Sequence, residues 1–222
     1  MINNIKTKYF INKGIYDNKD IFENTIESIK LGMKTKLGIY LTVRETKDNV
    51  YIIYEDSNLS RLQNIKDKIS DMTYEDLEFI SFYHIPKLSE VLELINGAID
   101  IIFDLKINAK NKKIYEMLKK YKGKYLVISN AKIINLINKN YNYITVGEIL
   151  TKKTKFSIYN FFIKSDFKSY DITNFDTIKL KKLKEDGKAI IGYKISNQDL
   201  YNEFKDEFEY LVIDNIRNIK MN

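Results

Sequence analysis

At 222 residues, 44% of them hydrophobic, the chain is long enough for one sizeable core and short for two, so a single domain over residues 1–222 is expected. It has no cysteine, which excludes disulfides, thiolate metal sites and cysteine nucleophiles and suits a reducing compartment. The net charge of +7 does not form a nucleic-acid stripe, because lysines are scattered among Asp and Glu and arginine stands only at Arg44, Arg61 and Arg217. No specific nucleic-acid partner is therefore expected.

The first residues contain no apolar run of signal-peptide length, and no later segment approaches the ~20 apolar residues of a membrane-spanning helix. A cytoplasmic chain without a membrane span is the expectation.

Runs of β-branched and aromatic residues predict strands at 8–12, 37–43, 50–54, 99–105, 124–128, 143–149, 167–172, 188–194 and 210–214. Helix-period stretches at 23–36, 87–95, 112–121, 131–138, 177–185 and 197–208 lie between most of them. In the first, Ile26, Ile29 and Met33 share a face; in the third, Ile114, Met117 and Leu118 do, and Gly123 follows as a terminator. Pro86, the only proline, introduces the helix from 87.

Only Thr46-Lys47-Asp48-Asn49 separates the second strand from the third, too short for a crossover, so this pair is predicted to be an antiparallel hairpin. Without that extra strand, eight strands alternate with helices. The pattern predicts an α/β fold, a compact (β/α)8 TIM barrel with one added hairpin strand after the second barrel strand.

Several short motifs follow one another in a telling order. They are Asn12-Lys13-Gly14, Glu23-Asn24-Thr25, Tyr40-Leu41-Thr42, Thr46-Lys47-Asp48-Asn49, Glu55-Asp56 with Leu59-Ser60-Arg61, Ile85-Pro86-Lys87-Leu88, Asp104-Leu105-Lys106, Gly187-Lys188 through Tyr193-Lys194-Ile195-Ser196-Asn197, and Leu211-Val212-Ile213-Asp214. In this order, across nearly the whole chain, they resemble the glycerophosphodiester phosphodiesterase family. That family opens on His-Arg-Gly and Glu-Asn-Thr, and continues with Glu-x-Asp, Thr-Lys-Asp-Gly, His-Asp, Leu-x-Arg, Ile-Pro-x-Leu and Glu-x-Lys.

The resemblance implies a metal-dependent phosphoric diester hydrolase of lipid metabolism, with two histidines as general acid and base and three carboxylates on a divalent cation. Here the histidine positions are Asn12 and Glu55. An amide does not exchange a proton near neutral pH, and a carboxylate with a pKa of ~4.3 needs burial to act as an acid there. The carboxylate positions are Tyr40, Thr42 and Asp104, leaving one charged oxygen donor for a hard cation. Lys13 and Lys106 keep the positive charge of the phosphate site, with Glu23 and Tyr193 as further ligand-side candidates. The only histidine, His84, lies outside every motif and is read as a surface or capping residue.

The expectation is a catalytically degenerate barrel, a pseudoenzyme that binds a small phosphorylated or anionic ligand at the C-terminal mouth. No cofactor is expected, and Mg²⁺ or Ca²⁺ enters only if Glu55, Asp56 and Asp104, with Glu23 or Glu148, rebuild a displaced site in an active phosphodiesterase. A structural or protein-interaction role is the other alternative. The sequence leaves the natural ligand, pathway and oligomeric state open.

Overall fold

The computed structural model describes residues 2, 5–109, 111–150, 164–174, 177–185, 187–214 and 216–221. In chain order its elements are β1 (Tyr9–Asn12), α1 (Ile26–Met33), β2 (Gly38–Glu45), β3 (Tyr51–Ile53), β4 (Asn58–Leu59), α2 (Ser60–Gln63), β5 (Ile65–Lys68), α3 (Tyr74–Ile80), α4 (Leu88–Ile95) and β6 (Ile101–Lys106). There follow α5 (Lys113–Lys120), β7 (Tyr125–Ser129), α6 (Ala131–Asn140), β8 (Val146–Leu150), β9 (Phe167–Asp171), α7 (Thr177–Glu185), β10 (Ala189–Ile195), α8 (Gln198–Phe204) and β11 (Tyr210–Ile213).

Eight of the strands pair in parallel in the order β1, β2, β6, β7, β8, β9, β10, β11, and β11 returns to β1 through Tyr9↔Leu211. The ring is closed, so the predicted (β/α)8 barrel is what forms, and closure leaves its eight strands no unpaired edge. Strand β1 reaches only Asn12↔Tyr40 along β2. Beyond it β3 takes over that edge, antiparallel and outside the ring, with Val43↔Ile53 and Glu45↔Tyr51. This is the predicted hairpin.

Alternation along the strands sorts side chains into two cores. Phe10, Tyr40, Ile102, Ile128, Phe167 and Val212 fill the barrel interior. On the outer face Leu41, Val43, Phe103 and Val127 pack against helix residues such as Ile114 and Ile134.

The helix predicted for 23–36 is shorter at both ends. It starts at Ile26 because Thr25 caps it, accepting from Ser28 N–H, while Asn24 turns into a left-handed conformation with φ of 61°. Glu23 therefore does not open the helix beside its dipole. Likewise α4 starts at Leu88, leaving Pro86 one residue ahead of the N-cap Lys87. The hairpin β4–β5 and helices α2 and α3 were not read from the sequence, being too short to carry a periodic signal.

Candidate active site

The C-terminal ends of the barrel strands open into a cavity of about 700 Å³. Tyr40, Arg44, Glu55, Arg61, Lys106 and Tyr193 are among its walls, together with Asp56 and Asp104. This is the end of a (β/α)8 barrel where loops and strand tips assemble chemistry.

Asp104 and Lys106 point to the same side of β6, as alternation requires, and Asp104 Oδ1 lies 3.0 Å from Lys106 Nζ. The other oxygen, Oδ2, accepts from the Tyr40 hydroxyl at 3.1 Å. Desolvation raises the Asp104 pKa and outweighs the opposing pull of Lys106 and Tyr40. Burial, reinforced by the Asp104 charge, drives the Tyr40 phenol well above its ordinary value, so it remains a proton donor. The Tyr193 ring lies 5.1 Å from the Tyr40 ring, and the pair floors the mouth.

Thr42 donates to a Glu55 carboxylate oxygen at 3.0 Å. The Arg44 guanidinium reaches over the same residue, with Nε at 3.1 Å and Nη2 at 2.5 Å from the Glu55 carbonyl oxygen. Asn12 is fully buried and donates through Nδ2 to Asp214 at 2.6 Å, while its amide oxygen has no hydrogen-bond partner. The two positions that the resemblance sets against the family's histidines thus hold an amide tied to an aspartate and a carboxylate engaged by a threonine.

Lys13 and Glu23 form a second group, and neither lines the cavity. Lys13 adopts φ of 64°, a conformation fixed by its N–H to the Tyr40 carbonyl and by Asn24 N–H on its own carbonyl, both at 3.0 Å. Its ammonium sits 3.3 Å from Glu23. Glu23 also takes a forked pair from Arg61, the Nη1 contact at 3.1 Å, and an amide donor from Asn18 at 3.2 Å. Arg61 extends from there to Asp56 at 2.7 Å, which carries the network to the mouth.

Burial raises the pKa of Glu23, but the Arg61 bonds and the Lys13 and Arg61 charges more than offset it, and the net shift is downward. A carboxylate with a depressed folded pKa contributes stability that is complete above its unfolded value and is lost as pH falls through the folded one. Thermal melting followed from about pH 6 to about pH 3 should therefore show an acid limb that flattens in Glu23→Gln. An unchanged limb would place the titration elsewhere.

Sequence reasoning missed Arg44 as a site residue, and named Arg61 only within its Leu-x-Arg motif. Arg44 shares the β2 face of Tyr40 and Thr42, a signal that strand alternation made readable, whereas its meeting with Arg61 in one cavity wall emerges only from the fold. Glu148, considered for a displaced metal site, is two residues from Val146 on the outer face of β8 and pairs with Lys168 there, opposite in parity to the interior residue Ile149. It does not reach the mouth. His84 lies outside the site, its ring nitrogens 2.6 Å from Glu78 and 3.3 Å from Glu90.

The profile of the Glycerophosphoryl diester phosphodiesterase family matches residues 14–171. The chain belongs to this family. A glycerophosphodiester phosphodiesterase of Bacillus altitudinis is 32% identical over 112 residues, a stretch that covers 46% of this chain and 45% of that relative. The chain thus matches under half of that relative's length.

The glycerophosphodiester phosphodiesterase of Thermotoga maritima superposes with a TM-score of 0.76 at 19% identity, covering 96% of this chain and 97% of the other. A phosphodiesterase of Oleispira antarctica, solved in complex with its product sn-glycerol-3-phosphate, superposes with a TM-score of 0.78 at 17% identity, covering 93% and 92%. At such identities these likenesses establish the shared barrel. Among the described residues no helix is long and apolar enough to cross a membrane.

Proposed function

We propose that the chain acts as one domain that binds a small phosphorylated or otherwise anionic ligand at the barrel mouth without hydrolysing it. The observation that carries this reading is the state of the two histidine positions. Asn12 cannot exchange a proton, and its amide is spent on Asp214. Glu55 stands at the other position with its carboxylate engaged by Thr42 and its carbonyl by Arg44.

The anion-binding half of the site is better equipped. Arg44 presents a guanidinium whose hydrogen bonds go to the Glu55 carbonyl, with no direct carboxylate ion pair, although the Glu55, Asp104 and Asp56 charges lie close enough to act on it. Lys106 and Arg61 stand in the same cavity wall. The product seen in the Oleispira antarctica phosphodiesterase makes sn-glycerol-3-phosphate the first ligand to try.

Calorimetric titration with sn-glycerol-3-phosphate should give saturable binding that Arg44→Ala weakens about 10–100-fold, as expected for losing a charge-assisted contact of ~1.5–3 kcal/mol. Equal affinity in the variant would remove Arg44 from the site, and no binding in the parent would remove the reading.

A further inference from the structure

The donor set at the mouth does not fit a divalent cation. Of the three carboxylate positions implied by the family resemblance, Tyr40 and Thr42 are uncharged. In the third, Asp104, Oδ2 accepts from the Tyr40 hydroxyl at an oxygen–oxygen distance of 3.1 Å, and Oδ1, which accepts no hydrogen bond, lies 3.0 Å from the Lys106 ammonium nitrogen. A hard dication seeks six or more oxygens, several of them charged. At this place it would meet a proton and an ammonium. Among the described residues no group of three His, Cys, Asp or Glu side chains could hold a metal ion.

The charges balance without one. Three carboxylates, a dication and the motif lysine would sum to zero; Asp104 with Lys106 also sums to zero, and so does Glu55 with Arg44 beside them. Losing two carboxylates together with a dication therefore leaves the floor of the mouth at the same net charge. What changes is the source of positive charge, which now comes from fixed side chains. Lys106 is held in place by Asp104, and Asp104 is held by Tyr40. Arg44 is held by two bonds to the Glu55 carbonyl.

We propose that Lys106 and Arg44 together replace the divalent cation, so that the mouth binds its anion independently of metal and turns divalent cations away. This rests on the anion-binding reading above. The Tyr40–Asp104–Lys106 contacts form the clasp that makes the replacement possible, with Tyr40 and Asp104 acting as positioning residues and Lys106 as the one that touches the anion.

The test uses the full chain stripped with EDTA. Calorimetric titration with sn-glycerol-3-phosphate is run in EDTA and again in excess Ca²⁺, and terbium luminescence sensitised by tyrosine reports any cation site. The expected affinities agree within about twofold in the two conditions, and the parent protein gives no saturable terbium signal. Lys106→Met should weaken the phosphate ligand by about tenfold or more, with no rescue by Ca²⁺, while circular dichroism confirms that it folds. The double variant Tyr40→Glu with Thr42→Asp should gain a saturable terbium signal.

Phosphate binding that EDTA abolishes and Ca²⁺ restores would overturn the proposal and leave the anion-binding reading standing. So would a terbium site in the parent that is lost in Asp104→Asn. Absence of binding in both conditions would overturn the proposal together with that reading.

Discussion

Glycerol phosphate release from a glycerophosphodiester, assayed with Mg²⁺, Ca²⁺ or Mn²⁺, is expected to run at least ~10⁴-fold more slowly than in a family member that keeps both histidines. General acid–base catalysis alone typically contributes ~10²–10⁴-fold, and the metal adds several kcal/mol of charge stabilisation, although such losses do not simply add. Asn12 holds its proton on an amide bonded to Asp214, so no pH between the two states of a histidine should reveal a hidden optimum. Metal-dependent turnover that disappears in Asp104→Ala would mean that the mouth assembles a working site from other groups.

Gly14→Ala should cost about 3–5 kcal/mol of folding stability, read as a lower urea midpoint at unchanged slope. Gly14 has φ of 83°, where an L side chain is strained, and a Cβ there would stand 2.5 Å from both the carbonyl carbon and the oxygen of Ser28. The obstacle is helix backbone, not a flexible side-chain tip, so α1 would have to move away from the barrel. That movement would also disturb Lys13, whose carbonyl accepts from Ser28 Oγ at 3.1 Å. A loss under about 1 kcal/mol would mean that the β1–α1 connection yields more readily than its packing suggests. The same strand end thus carries both a requirement of the fold and part of the site.

The barrel was legible because its signals are long and redundant. Strands such as β6 and β10 carry runs of Ile, Phe and Tyr long enough to be read, and the four residues of 46–49 leave a hairpin as the only connection. The reading failed where a few residues settle the structure. Glu23 and Asn24 have helix-compatible neighbours, yet contacts from Lys13, Asn18 and Arg61 hold them off the helix. Nothing in the local sequence announces a partner 38 positions away.

The site divides in the same manner. Alternation along β2 and β6 correctly brought Tyr40, Thr42, Asp104 and Lys106 to one end of the barrel. It could not say that Lys13 would be turned toward Glu23, outside the cavity wall, or that Arg44 would supply the accessible guanidinium. Those outcomes depend on backbone geometry at Lys13 and on the approach of Glu55 from beyond the hairpin, both tertiary facts.

Phosphorus NMR of a glycerophosphodiester mixed with the protein tests the central claim most directly, because one sample separates binding from turnover. The account predicts broadening of the diester resonance that added sn-glycerol-3-phosphate relieves, with no monoester signal growing in over days. A monoester signal that accumulates in proportion to protein would contradict it, and so would a diester resonance that stays sharp.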